Sequence, residues 1–384
     1  MGVSRMSKLN ELIHKLCPDG VEYKKIKDVF QRLRGTPITA GKMKEIESSD
    51  GDIRIFAGGK TVINAKEEDI PNANIIRVPA VLVQSRGVID VVYYEKPFTF
   101  KNEMWAYTSD NKIAVKFLYY VLKNNIQKFR DAAAGMGSLP QISLPVTEEF
   151  EVPVPPLPMQ SEIVRILDNF TELTAELTAE LTARKKQYGY YRDFLYTADD
   201  ADIEWTTLDR ISENCDRQRK PVTKGNRVSG KYPYYGASGI VDYVEDYIFD
   251  GDFLLVSEDG ANLLARSTPI AFSISGKNWV NNHAHVLKFD TYELRRYVEI
   301  YLNSIDLSKY ISGGAQPKLN QENLNKIPIP VPSPERVKYM VSILDRFDTL
   351  CHDISEGLPA EIEARQKQYE YYRDKLLAFG EVNV

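Results

Sequence analysis

Two near-identical segments, each following a longer divergent region, constrain this sequence more than any other feature. Residues 152–170 read VPVPPLPMQSEIVRILDNF and residues 329–347 read IPVPSPERVKYMVSILDRF, with Ile-Leu-Asp-x-Phe common to both. Each is followed by a second shared stretch, Ala-Arg-x-Lys-Gln-Tyr-x-Tyr-Tyr-Arg-Asp, at 183–193 and 364–374. An internal repeat of this length predicts two copies of one structural unit rather than a single enzyme core.

The shared segments open with several prolines, which excludes a central strand or helix there, and then become helical in periodicity. Apolar and aromatic residues step alternately by four and three positions, the spacing of a coiled-coil seam. A helix packed in the core of an ordinary globular domain shows a similar apolar stripe and is the alternative interpretation. The second copy has four extra residues, and Gly357 and Pro359 indicate a kink near them.

Because each long helix must bury its stripe, we expect the two to pack on each other as an antiparallel pair with pseudo-twofold symmetry. The residues predicted to pair them are Leu167, Phe170, Leu177, Leu181, Tyr188, Leu344, Phe347, Ile354, Tyr369 and Tyr372.

The regions between the shared helices have mixed α/β patterns with mostly β character. In the first, a glycine turn (FAGGKT, 56–61) precedes an apolar run (AVLVQSRG, 80–87) and a helix candidate at 114–129, and the second region repeats this order. The predicted fold is α+β, with two mixed domains joined by the long helices. The predicted limits are 1–150 and 199–327 for the domains, and 151–198 and 328–384 for the proline segments and helices.

Signals for catalysis are weak. The AGGKT stretch has Arg54 where a phosphate-binding loop needs glycine, and no helix signal follows it. The four histidines and three cysteines have no metal-ligand spacing, although His283 and His285 alternate on one face of a predicted strand. The motif of amino-methyltransferases, a glycine fingerprint for S-adenosylmethionine and a nuclease carboxylate cluster are all missing. The sequence therefore predicts a protein without a catalytic, cofactor or metal site.

The compartment follows from the cysteines and the apolar pattern. Three widely spaced cysteines favour reduced thiols. No apolar stretch approaches the ~20 residues of a membrane span, and the first residues have no apolar signal core. We expect a cytoplasmic protein.

The net charge of −5 disfavours a protein that coats nucleic acid, but two basic runs occupy corresponding places in the two copies. One is DRQRKPVTKGNRVSGK at 216–231, and the looser one is QRLRGTPITAGKMK at 31–44. A solvated surface would explain either run alone, whereas their pairing favours phosphate contact. The candidate DNA-binding residues are Arg32, Arg34, Lys42, Lys44, Lys60, Arg86, Asn102, Arg217, Arg219, Lys220, Lys224, Arg227, Lys231, Asn262, Arg266, Asn281 and Asn282.

Two variable regions, each followed by a Pro-rich Ile-Leu-Asp-x-Phe helix that ends in Gln-Tyr-x-Tyr-Tyr-Arg-Asp, resemble the specificity subunit of type I restriction–modification systems. The first copy fits the family motif through Gln160, Ile163, Val164, Ile166, Leu167, Asp168 and Phe170. In the second copy Val337 replaces that glutamine, and Gly-Leu-Pro interrupts the helix.

The resemblance implies a non-catalytic subunit whose two target-recognition domains each read half of a bipartite, asymmetric site in double-stranded DNA. It also implies that the helices space the domains and dock two methyltransferase subunits, which bring S-adenosylmethionine. Restriction subunits that hydrolyse ATP would join this core. The alternative is a coiled-coil protein-interaction scaffold without sequence-specific DNA binding, which would explain the helices but not the paired basic runs.

The tandem Thr-Ala-Glu-Leu at 174–181 predicts that the first helix acts as a ruler. A third unit after Leu181 would lengthen the helix by ~6 Å and rotate the residues beyond the insertion by ~40°. Since DNA rises ~3.4 Å and turns roughly 35° per base pair, we expect the same half-sites with a spacer about one or two base pairs longer. Mapping methylated sites tests this. A fixed spacer in an assembled complex would mean that the repeat is neutral slippage in a permissive helix.

Overall fold

A computed structural model describes residue 11 and residues 15–59, 61–133, 139–197, 203–259, 262–313 and 316–380. The chain forms two compact units. The first unit comprises Met1–Leu177 and Ile362–Val384, and the second unit comprises Thr178–Glu361. Each unit thus contains one variable region and parts of both shared helical segments. The domain limits predicted from the sequence stay a prediction.

The first unit is built on a four-stranded sheet of order β2-β8-β5-β6, a three-stranded sheet of order β4-β3-β7 and the antiparallel pair β1-β9. Its strands are β1 (Tyr23–Lys25), β2 (Gln31–Leu33), β3 (Ile53–Phe56), β4 (Val62–Ala65), β5 (Ala80–Gln84), β6 (Asp90–Tyr94), β7 (Phe98–Phe100), β8 (Trp105–Thr108) and β9 (Glu151–Pro153). Its helices before the long one are α1 (Ile26–Val29), α2 (Ala40–Ile46), α3 (Lys112–Asn124), α4 (Ile126–Ala133) and α5 (Leu144–Glu148).

Strand β5 is the centre of the first unit, because its run AVLVQ is buried at all five positions. Helix α3 packs on β5 and β6 with its apolar face. The helix begins after Asn111, whose side-chain oxygen accepts hydrogen bonds from the amides of Ile113 and Ala114. The predicted helix at 114–129 is therefore two helices, since Asn125 separates α3 from α4.

The second unit contains a six-stranded sheet of order β11-β16-β14-β15-β12-β13 and the antiparallel pair β10-β17. Its strands are β10 (Glu204–Thr207), β11 (Glu213–Asn214), β12 (Ser229–Gly236), β13 (Gly239–Val244), β14 (Phe249–Ser257), β15 (Ala271–Val280), β16 (Ala284–Lys288) and β17 (Pro328–Val331). Its shorter helices are α7 (Leu208–Ile211), α8 (Asn262–Ala265), α9 (Tyr292–Ser304) and α10 (Gln321–Asn325). The predicted mixed, mainly β architecture is confirmed.

The order of elements repeats between the units, as the sequence repeat requires. A strand near the start of each unit pairs antiparallel with the strand that opens the proline segment, as β1-β9 and β10-β17. A helix of the same length follows the last strand of the main sheet, as α3 and α9. The two units therefore use one framework with different loops and strands attached to it.

The first long helix, α6, runs from Leu157 to Thr197, close to the predicted range. In the first unit its Phe170 stacks on Tyr372, with ring centroids 5.4 Å apart. In the second unit its Tyr188 contacts Phe347 at 6.5 Å. Later residues of α6 thus meet earlier residues of the other helical segment, which is the sequence order of the predicted antiparallel pair. Each hydrophobic core includes residues from both segments.

The second helical segment consists of two separate helices, α11 (Pro334–His352) and α12 (Leu358–Leu376). The structure differs here from the predicted kinked helix, because residues 353–357 form a turn. Ile354, expected to pair the helices, lies in this turn with 81% of its surface exposed. The carboxylate of Asp353 accepts amide hydrogen bonds from Ser355 and Glu356 and so stabilises the turn.

We predict that the turn depends on Gly357. A Cβ atom there would lie 2.4 Å from the Thr349 carbonyl oxygen and 2.7 Å from that of Asp353, and neither backbone atom can move freely. Gly357→Ala should lower the free energy of unfolding by about 1–3 kcal/mol in a denaturant titration.

Gly189→Ala is the matched control, because a Cβ atom at this helical position meets nothing within 4 Å. Replacing a helical glycine with alanine in open space should raise the free energy of unfolding by up to about 1 kcal/mol. Equal effects of the two substitutions would show that the turn does not need glycine.

Candidate nucleic-acid interface

The strongest candidate surface of the second unit is the basic loop, which we define as residues 216–228 between β11 and β12. Its path is fixed by backbone contacts with the sheet. The Trp279 indole donates a hydrogen bond to the Lys220 carbonyl at 2.7 Å. The Tyr234 hydroxyl accepts one from the Val222 amide at 2.9 Å. These two contacts anchor the backbone of the loop on the sheet.

Two of its arginines are anchors. Arg219 forms an ion pair with Glu258 at 2.6 Å and donates to the Ala284 carbonyl, and only 14% of its side chain is exposed. Arg227 lies over the ring of Tyr234, with its guanidinium carbon 4.3 Å from the centroid, and pairs with Asp242. Both were candidate phosphate contacts, but their positions assign them a structural role.

The other cations of the basic loop face solvent. Arg217, Lys220 and Lys224 are exposed, and none of them has an ion pair within the parts of the chain that the structure describes. Lys231 follows in β12, also exposed, with its ammonium group over the ring of Tyr232. Exposed cations without ion pairs, on a loop whose backbone is anchored to the sheet, are suited to contact with phosphate oxygens.

A buried histidine holds the start of the basic loop. His285 in β16 is only 1% exposed; its Nδ1 lies 2.6 Å from the Asp216 carboxylate and its Nε2 lies 2.7 Å from the Leu319 carbonyl. The Leu319 carbonyl can only accept, so Nε2 of His285 donates this hydrogen bond. Burial alone would raise the pKa of Asp216, but hydrogen bonds from His285 and Val286 bring it below its usual range.

Four other candidates of the second unit also divide into residues with structural contacts inside the protein and residues that face solvent. Asn262 accepts hydrogen bonds from Ser267 and Thr268 and so closes a local turn. Asn281 is buried and accepts from the His283 amide. Asn282 is exposed and remains available to a ligand.

Arg266, the fourth, caps a helix. Its guanidinium donates to the carbonyls of Leu302 and Asn303 at the end of α9, where cations stabilise the helix dipole. Burial lowers its pKa, and its backbone adopts a positive φ of 49°. Contacts of this kind assign Arg266 to the framework rather than to a ligand.

In the first unit the basic run at 31–44 is less concentrated. Arg32 forms an ion pair with Glu148 at 3.2 Å, and Lys42 forms one with Glu45 at 3.2 Å. The other two candidates of this run, Arg34 and Lys44, are exposed.

The first unit brings Lys44 and Arg86 together at one groove of about 730 Å³. Its floor includes Gly59 and Gly87, whose backbones have φ of +72° and +80°, a region that favours glycine. The Gly59 amide donates to the Arg86 carbonyl, so the two turns are joined. A backbone without side chains lets a ligand approach closely.

One further candidate and one residue that the sequence reasoning missed belong to the surroundings of this groove. The missed residue is Lys101, which lines the groove and pairs with Glu103 at 3.0 Å. The candidate is the exposed Asn102, and its position next to Lys101 is the only sequence signal that could have indicated Lys101. Candidate Lys60 lies outside the described residues. The FAGGKT segment connects β3 to β4 rather than to a helix, which agrees with the rejection of a phosphate-binding loop.

The alternating histidines do not form a metal centre. His283 is exposed and contacts Asp259, whereas His285 is buried against Asp216. Across the described ranges, no group of three or more His, Cys, Asp or Glu side chains could hold a metal ion. Among these same ranges, no helix has the length and apolar character needed to cross a bilayer.

A duplicated framework that carries two different candidate binding surfaces, a basic loop and a groove, is the architecture of a two-module recognition protein. Residues 18–184 and 202–364 match the type I restriction modification DNA specificity domain, and the chain belongs to this family. The two matched ranges correspond to the two copies of the repeat.

Individual relatives agree with this assignment. A type I restriction enzyme specificity subunit of Escherichia coli is 35% identical over 295 residues, which cover 70% of this chain and 72% of the relative. A relative from Haemophilus influenzae is 38% identical over 187 residues, and this chain spans about half of its length (48%). The crystal structure of the S subunit of a type I restriction–modification system from M. genitalium has the same fold, with a TM-score of 0.64, 18% identity and coverage of 93% and 96% of the two chains.

We predict that the exposed and anchored cations of the basic loop respond differently to neutralisation. Changing Arg217, Lys220 and Lys224 together to glutamine should leave the fold intact. It should also flatten the negative slope of log DNA affinity against log salt concentration, by up to about 3, because fewer counterions are released on binding.

Arg219→Gln is the comparison, since it removes one partner of the partly buried Glu258, which Lys318 also contacts, and should lower the melting temperature instead. DNA titrations at several salt concentrations and thermal melts of both variants separate the two roles. An unchanged slope in the triple variant would place the basic loop on an ordinary solvent face.

Proposed function

We propose that this chain is the DNA sequence-specificity subunit of a type I restriction–modification complex. Each unit reads one half of a bipartite, asymmetric site in double-stranded DNA, and the helical segments set the distance between the halves. Catalysis is left to partner subunits. The family assignment and the repeated framework support this function.

The observation that carries the proposal is the contrast between framework and surface. The framework repeats, through β1-β9 and β10-β17 and through α3 and α9. The cationic surfaces do not repeat, since the second unit uses a rigid loop and the first uses a groove beside glycine turns. Two different surfaces on one framework suit a protein that must read two different sequences.

The repeated helical motif suits a partner that is present in two copies. Tyr190 and Tyr371 hold the same position in the two copies of Gln-Tyr-x-Tyr-Tyr-Arg-Asp, and 67% and 61% of their surfaces are exposed. Exposed aromatic residues are common anchors of protein interfaces. We assign these positions to the docking of two methyltransferase subunits.

The remaining partners follow from the kind of complex proposed. S-adenosylmethionine and ATP would bind to methyltransferase and restriction subunits, respectively, and this chain would need no cofactor of its own. One structural neighbour, 12% identical with a TM-score of 0.54, comes from work on complex assembly of a type I system. A subunit that reads chromosomal and invading DNA would act in the cytoplasm.

The competing function is a coiled-coil scaffold that binds proteins without reading DNA. It would account for the long helix α6 and its partners but gives no reason for the solvent-facing cations of the basic loop. DNA titration in the presence of the methyltransferase partner separates the two functions, because a scaffold would show no sequence preference.

Module exchange provides the decisive experiment. Residues 20–150 are replaced by the corresponding region of another family member, and the sites methylated by the assembled complex are mapped. We expect one half-site to change and the other to persist, since the two surfaces lie on separate units. Loss of both half-sites in a folded chimera would contradict independent reading by the two units.

A further inference from the structure

The aspartate of the repeated Ile-Leu-Asp-x-Phe motif has no role in the function proposed so far. It is Asp168 in α6 of the first unit and Asp345 in α11 of the second. In each unit its carboxylate contacts the helix that packs on the main sheet, α3 or α9. The motif therefore joins the shared helical segment to the variable region of its own unit.

In the first unit two residues of α3 bind the carboxylate. Lys116 Nζ lies 2.8 Å from one carboxylate oxygen of Asp168. The Tyr120 hydroxyl donates a hydrogen bond to the other oxygen at 2.5 Å. Because Lys116 and Tyr120 are four residues apart, they come from successive turns on one face of the helix.

The second unit has the same arrangement from a different sequence. Arg296 Nε donates to one oxygen of Asp345 at 2.7 Å, and the Tyr292 hydroxyl donates to the other at 2.7 Å. Burial and this hydrogen bond raise the pKa of Tyr292 to about 12, so the hydroxyl keeps its proton and donates. Arg296 also pairs with Asp348 and Glu299.

The cation occupies the same position in the two helices, whereas the tyrosine lies on opposite sides of it along the chain. Lys116 is the fifth residue of α3 and Arg296 is the fifth residue of α9. The tyrosine lies one turn after the cation in the first unit, at Tyr120, and one turn before it in the second, at Tyr292. Helices α3 and α9 differ in sequence, yet each contacts the motif aspartate of its own unit through one cation and one tyrosine.

Such a contact restricts orientation more than it adds stability. The ion pairs are partly exposed, and exposed pairs contribute little to folding free energy. The apolar residues beside them, Leu167 and Leu344, are fully buried and already hold the elements together. Apolar contact has no preferred direction, whereas two charge-assisted or hydroxyl hydrogen bonds from successive turns fix both the rotation and the sliding of one helix on the other.

We infer that Asp168 and Asp345 are positioning residues for DNA recognition, each fixing the orientation of its own variable region on the helical segment. The inference rests on the proposed function. Its consequence is that the carboxylates determine how strictly the complex selects the spacing between half-sites. They have no part in choosing the bases within a half-site.

The test uses the complex of this chain with its methyltransferase subunits. Methylation rates are measured on DNA with the cognate half-sites and a spacer that is cognate, one base pair shorter or one base pair longer. Asp168→Asn keeps the shape of the side chain but weakens both contacts. We expect it to reduce the preference for the cognate spacer by about fivefold, with the base preference of both half-sites unchanged.

Four further variants make the result specific. Glu172→Gln, an exposed change one turn along the same helix, should leave the spacer preference as in the wild type. Lys116→Met should lower the preference as Asp168→Asn does. Exchanging the charges, with Lys116→Asp and Asp168→Lys together, should restore part of it. Asp345→Asn tests the second unit in the same way, although Asp348 continues to hold Arg296 there.

Two results would overturn the inference. One is an unchanged spacer preference in Asp168→Asn and in Lys116→Met. The other is an equal loss of rate at every spacer together with a lower melting temperature, which would mean that the contact only stabilises the unit. If the wild-type complex methylated no bipartite site, the proposed function itself would fail, so the two failures are distinguishable.

Discussion

Packing of the two ends of α6 into the two hydrophobic cores is the constraint on which the rest of the structure depends. A helix that runs from Leu157 to Thr197 cannot cover its stripe with local contacts, so a second helical segment must be supplied by the same chain. The repeat supplies it, as α12 in the first unit and α11 in the second. The variable regions are therefore free to diverge, because the framework that carries them is stabilised elsewhere.

The basic loop shows how a charged surface loop can be anchored by contacts of its own side chains and backbone. Arg219, with only 14% of its side chain exposed, forms ion pairs with Asp216 and Glu258, so the cost of covering these acids is offset by paired contacts. The exposed cations of the loop are left without such partners in the described part of the second unit. A loop that is already ordered loses little further entropy when it binds a ligand.

The repeat made the two-unit organisation, the long helix and the antiparallel order predictable from sequence, since they depend on local periodicity and on self-similarity. The roles of single residues were less predictable. Arg219 and Arg217 look alike in the sequence, and only the fold brings Glu258 to one of them. Ile354 continues the apolar periodicity, but Asp353 and Gly357 form a turn there instead. Such outcomes depend on contacts between residues that are distant in the chain or on backbone geometry that periodicity does not record.

The first unit closes with residues from the far end of the chain. Leu376 and Leu377 are buried in its core, Phe379 packs on Phe117 at 6.3 Å, and the Val21 amide donates to the Gly380 carbonyl. During synthesis on the ribosome, the core of the first module is therefore complete only after residues 376–380 have been made. The first module is synthesised before the second, yet its core would be completed only after the second module has been translated.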